Sequence, residues 1–125
     1  MDAIIASDAD APRKVQRYMA LFEATLREGA LAKACPCGML GAELATLGSA
    51  AVVQLRAFYR ANEQRLAQII EQGRKQGTLT CRGTSEAVAA CIFALLEGGM
   101  LLVRAEGGVD KFQVMTSQCL LLLRA

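Results

Sequence analysis

Histidine and tryptophan are both absent from these 125 residues, and proline occurs only twice, at Pro12 and Pro36. Without histidine there is no Ser-His-Asp or Cys-His nucleophilic machinery and no His-ligated zinc. Nor is there a side chain that ordinarily titrates near neutrality. Hydrolytic chemistry loses most of its parts at once, and no enzyme activity is expected. Few prolines among many leucines and alanines favour an all-α chain. Charge is nearly balanced, 14 basic against 12 acidic residues, and the net +2 is too small to predict a polyanionic partner. The opening Met1-Asp2-Ala3-Ile4-Ile5 lacks the basic start and sustained apolar stretch of a secretory leader. The odd set of five cysteines, at 35, 37, 81, 91 and 119, is therefore expected to be reduced in a cytoplasmic protein.

What is present is apolar mass. The chain is 54% hydrophobic and 21% charged, which excludes intrinsic disorder and suffices for one domain with its own core. Residues 87–103 carry only apolar side chains and glycine apart from Glu97. As a helix they span roughly 25 Å, short of the ~30 Å hydrocarbon core of a bilayer. A charge and the Gly98-Gly99 pair inside that run point to a buried helix and to no membrane partner.

Periodicity predicts about five helices. Residues 1–11 read as a flexible lead or the remnant of a preceding helix, and residues 12–125 as a single domain. Val15, Tyr18, Met19, Phe22 and Leu26 mark a first helix with Pro12 in its opening turn and Gly29 at its end. A short second helix, about 37–47, is rich in glycine and alanine and is broken by Gly48. The third, about 50–75, carries Val52, Leu55, Tyr59, Asn62, Leu66, Ile69 and Gly73 at alternating steps of three and four. Ser49 is expected to cap its start and Gly77 to stop it. The fourth covers about 84–105, capped by Thr84 or Ser85. The fifth covers about 109–124, opened by a capping box of Asp110 and Gln113. These last two are apolar nearly all round, which calls for a second chain against them; a homodimer is the expected solution.

One passage is distinctive: Cys35-Pro36-Cys37-Gly38-Met39-Leu40-Gly41-Ala42-Glu43-Leu44-Ala45-Thr46-Leu47-Gly48, running into the long third helix. That helix closes on Arg74-Lys75-Gln76-Gly77-Thr78-Leu79. An alanine-rich helix follows, from Glu86-Ala87-Val88-Ala89-Ala90 to Leu96-Glu97-Gly98-Gly99. In order and spacing these motifs resemble the regulatory half of the tetracycline-repressor-type (TetR/AcrR) transcription regulators over about residues 12–124. The resemblance implies an effector-binding and dimerisation domain. In it the last two helices pair with their twins in a four-helix interface, and the earlier helices enclose an apolar pocket for a small-molecule effector. The DNA-reading half is expected to be missing. A three-helix unit needs roughly 45 residues, and none fits ahead of the first helix. The chain alone is then expected to bind no nucleic acid, operator DNA being held through the missing domain.

Within that reading the candidate pocket lining is Tyr18, Phe22, Met39, Leu44, Phe58, Tyr59, Asn62, Leu66, Ile92 and Leu96. Asn62 is the sharpest of these, the only amide on an apolar stripe, and equally suited to fixing packing register. The candidate dimer interface is Val88, Leu95, Gly99, Val103, Phe112, Met115, Cys119 and Leu122. Cys35 and Cys37 form a candidate redox pair, because a thiol in a first helical turn gains thiolate character from the dipole; buried packing thiols are the competing account. No metal or cofactor is expected, since two thiolates without histidine lack further ligands. Glu43 and Glu97 are acids inside apolar stretches, and nothing in their spacing brings them into one catalytic cleft. Each is expected to pair with an arginine or to sit on a helix rim. Two alternatives stay open: a thiol-based redox or electrophile sensor on the same fold, and a helical protein–protein interaction module.

Overall fold

Where each helix begins and ends follows from a few side chains. In a computed structural model that describes residues 1–29 and 35–124, the order is α1 (Asp2–Ile5), α2 (Ala11–Glu28) and α3 (Pro36–Ala42). A 3-10 turn at Leu44–Thr46 precedes α4 (Ser49–Lys75), α5 (Ser85–Glu106) and α6 (Asp110–Leu122). The fold is all-α, with six α-helices among the described residues where about five were expected.

The additional element is α1, which makes part of the lead a docked turn. Asp2 pairs with Arg65 at 2.8 Å, and the Lys14 ammonium donates to the Ile5 carbonyl at 2.8 Å. Asp10 then opens α2, its carboxylate accepting from the Arg13 backbone N–H at 2.9 Å, with Pro12 in the first turn. Helix α3 is shorter than expected, with Cys35 at its N-cap. Gly48, not Ser49, occupies the N-cap position of α4, so Ser49 is already helical. At its far end Gly77, with φ at 68°, closes a Schellman turn. Its own N–H reaches Arg74 O at 3.0 Å and the Thr78 N–H reaches Gly73 O at 2.8 Å.

The Arg74 guanidinium secures the connection that follows. It donates to the carbonyls of Cys81 and Gly83 and to Ser85 Oγ, which itself donates to Glu71 at 2.9 Å. Thr84 caps α5 by accepting from the Ala87 N–H. The capping box expected at α6 is not formed. Val109 is the N-cap, and Gln113 reaches away to Glu23 on α2 at 2.8 Å.

Helix α5 is the hub, packed against α2, α4 and α6. By length and composition alone it is apolar enough to cross a membrane, and one face of it is used in packing: Ala89, Ile92, Phe93, Leu96, Met100 and Val103 are buried, while Leu101 and Leu102 are exposed. Leu26, Leu66, Ile70 and Phe112 fill the same core. Each such side chain contributes about 1.5–3 kcal/mol of transfer free energy. Helix α6 crosses α5 at Gly99, where a Cβ would sit 2.9 Å from Met115 Cε and 3.2 Å from the Phe112 ring. Gly99, Val103 and Phe112, expected at the dimer interface, are therefore interior residues of the single chain. A heptad-like pattern cannot separate the face turned to a partner from the face turned inward.

Candidate functional site

Five aromatic rings from three helices converge beside α3. Tyr18 and Phe22 come from α2, Phe58 and Tyr59 from α4, and Phe93 from α5. Phe93 is the centre: its ring lies 6.5 Å from Phe22, 6.4 Å from Phe58 and 5.6 Å from Tyr59. Edge-to-face and tilted contacts of this kind fix ring orientation as well as burying area. Sequence reading identified four of the five rings. It named Ile92 and Leu96 on α5 as pocket lining and left out Phe93, because nothing along that apolar helix sets the ring apart.

Asn62 is satisfied from within. Its Oδ1 accepts from the Tyr18 hydroxyl at 3.0 Å, and its Nδ2 donates to the Phe58 carbonyl at 2.9 Å. Both ends of the amide are thus engaged by neighbours on α2 and α4. Burial, with Glu97 beside it, pushes the Tyr18 phenol well above its usual range, so the hydroxyl stays a donor. Tyr59 donates to the Cys37 carbonyl and so pins α3 to α4. Two glycines let α3 approach this closely. A Cβ at Gly41 would strike the Tyr59 hydroxyl, and one at Gly38 would strike Glu97 Oε2.

Beneath α3 lies an open pocket of about 370 Å³ lined by Tyr59, Phe93, Glu63, Glu97, Leu101 and small residues including Gly38 and Gly98. Glu97 is its unusual member. It makes no ion pair among the described residues, so it neither meets an arginine nor rides an exposed rim as expected. Its Oε1 is shielded from solvent and has no hydrogen-bond partner among the described residues. Burial raises the Glu97 pKa above the ordinary 4.5, partly countered by a hydrogen bond from the Cys35 thiol. Glu43, by contrast, is exposed at the end of α3.

The same surroundings act on the thiols. Burial and Glu97 push Cys35 up to about 11 and also raise Cys37. The dipole argument predicted the opposite direction. A helix of seven residues provides a weak dipole, and burial of the thiols, with Glu97 adding to it, outweighs it. No group of three or more metal-ligating side chains occurs among the described residues.

The remaining candidates divide. Leu66, Ile92 and Leu96 are sealed in the core, whereas Met39 and Leu44 are about two-fifths exposed on and after α3. On the far side of α5, a separate apolar groove of about 650 Å³ runs between α5 and α6. Val88, Leu95, Met115, Cys119 and Leu122 line it, five of the eight residues expected at a dimer interface.

Comparison with known proteins agrees with this arrangement. Residues 11–118 match the family described as tetracyclin repressor-like, C-terminal domain. A transcriptional regulator of the TetR family from Agrobacterium tumefaciens, known from its crystal structure, is similar at 28% identity with a TM-score of 0.89. The similarity covers 98% of this chain and 65% of that one, so the chain spans just under two thirds of the regulator's length. No curated protein matches.

Proposed function

The chain belongs to the family of tetracyclin repressor-like C-terminal domains, and from that premise we propose that it is the effector-binding, dimerising part of a transcription regulator. Its ligand is a small apolar or amphipathic molecule held beneath α3, in the cavity bounded by Tyr59, Phe93 and Glu97. Its partner is a second copy, packed across the groove between α5 and α6 to make a four-helix interface. Operator DNA is contacted by a helix-turn-helix unit outside these residues.

One observation carries the reading: a small helical frame presents an aromatic-walled cavity and an apolar groove on opposite sides of α5. A ligand in the cavity touches the helix that also forms the groove. It acts on DNA binding only through its difference in affinity for two arrangements of the dimer. Thiol sensing on the same frame is the weaker reading, because a Cys35 thiol raised to about 11 is a poor nucleophile at neutral pH.

Native mass spectrometry under non-reducing conditions tests the proposal. A non-covalent dimer carrying a few hundred daltons of added mass per subunit supports it and begins to identify the effector. A ligand-free monomer overturns it in favour of an interaction module.

A further inference from the structure

We propose that Cys91 and Cys119 form a redox-sensitive thiol pair, whose disulfide draws α5 and α6 together and closes their groove to a second copy. The inference rests on the dimer reading above and adds a modification site that regulates pairing.

Three of the five cysteines, Cys81, Cys91 and Cys119, line this one groove. The α5–α6 hairpin brings the second and third of them level. Gly99 packs against Phe112 and Met115 across the hairpin. Cys91 stands eight residues before Gly99 and Cys119 seven after Phe112, so nearly equal lengths of antiparallel helix carry both thiols to the same height. Cys81 arrives from the connection between α4 and α5. The Thr80 N–H donates to the Leu123 carbonyl at 3.0 Å, and Leu123 is one turn beyond Cys119. Cys119 accordingly feels the charge of both neighbours, that of Cys91 more strongly.

The two partners differ in access. Cys91 is exposed in the single chain, whereas Cys119 is buried. Cys91 therefore meets the oxidant and Cys119 resolves the product. With glutathione disulfide, the Cys91 thiolate, its proton released to water, attacks one sulfur and expels the other as glutathione thiolate. Cys119, deprotonated in turn, attacks the Cys91 sulfur of the mixed disulfide; the protein S–S bond forms and the second glutathione thiolate leaves. The two released thiolates take up the two protons. Two protein thiols are oxidised, and one glutathione disulfide is reduced to two thiols. A disulfide holds its Cα atoms about 4.4–6.8 Å apart. Residues flanking an open groove of about 650 Å³ must close up to reach that separation, which narrows the seat for a partner's side chains beside Val88, Leu95 and Leu122. Pairing in turn covers Cys91, so the oxidant acts on separated chains and holds them apart.

Glutathione disulfide added to dilute protein tests this, with non-reducing peptide mapping and with sedimentation velocity before and after. The expected result is a Cys91–Cys119 disulfide, a dimer dissociation constant raised by about tenfold or more, and recovery in dithiothreitol. Cys91→Ser is expected to give the same dissociation constant with and without the oxidant. A bond elsewhere, a retained glutathione adduct, no reaction, or an oxidised chain that pairs as tightly as the reduced one overturns the inference and leaves the dimer standing. So does a response that survives Cys91→Ser. A parent chain that stays monomeric in reductant overturns the dimer reading along with it.

Discussion

The Tyr18 hydroxyl donates to Asn62 Oδ1 at 3.0 Å, joining α2 to α4 by a side-chain hydrogen bond inside the core. Both residues are almost fully buried, so neither polar group has water to fall back on. Tyr18→Phe leaves the amide oxygen without its donor and is expected to cost about 1–3 kcal/mol. Asn62→Leu strands the hydroxyl at a similar cost. The double variant is expected to lose less than the two singles added together, by roughly 0.5–2 kcal/mol, because no orphan remains. Urea denaturation of all four proteins measures the coupling; strict additivity removes the hydrogen bond from the account.

Glu97 sets a pH dependence whose sign can be worked out. Its pKa is raised in the folded chain relative to an ordinary 4.5. Its contribution is fully present below the unfolded pKa and is lost as pH rises through the folded one. Cys35, Cys37, Tyr18 and Tyr59 feel its charge. All of these are themselves raised from values of 9.0 or 10.0, so none changes charge in the acid window. Glu97→Gln is therefore expected to gain stability relative to the parent chain as pH rises from about 4 to 7. Denaturant midpoints at both pH values test this. A constant difference would show that the carboxyl titrates as it does in the unfolded chain.

Leu122 and Val114 are more than three-fifths exposed in the single chain, and Leu122 lines the groove between α5 and α6. Leu122→Glu is harmless to a chain in isolation. Buried against a second copy it leaves an unpaired charge, costing on the order of 3 kcal/mol and weakening the dimer roughly a hundredfold. Sedimentation velocity is expected to show a monomer at concentrations where the parent chain pairs, with unchanged helical circular dichroism. An undiminished dimer would place the interface elsewhere.

Most of the fold was legible because helix periods and stop signals are local. Pro12, Gly29, Thr84 and Gly107 all act within a turn of where they stand. What failed was long-range. Asp110 and Gln113 have the spacing of a capping box, but Gln113 is taken by Glu23, ninety residues earlier. The site was half legible for the same reason. Tyr18 and Asn62 were each placed correctly on an apolar stripe, yet their bond spans 44 residues and no local pattern announces it. Glu97 stood out as the acid in an apolar run. Only packing against Gly38 and Phe93 makes it part of a cavity.

The clasp around Arg74 tethers α4 at its C-terminal end. At its C-terminal end the guanidinium grips three groups of the connection into α5, and Gly73 lies hard against Leu79 and Ala11. At the other end, Gly48 has open space around it. Over 27 residues α4 is a rod of about 40 Å, held near its middle by the Tyr18–Asn62 hydrogen bond. The Arg74 joint ties the C-terminal end of that rod to the start of α5, the helix that lines both the pocket beneath α3 and the groove against α6.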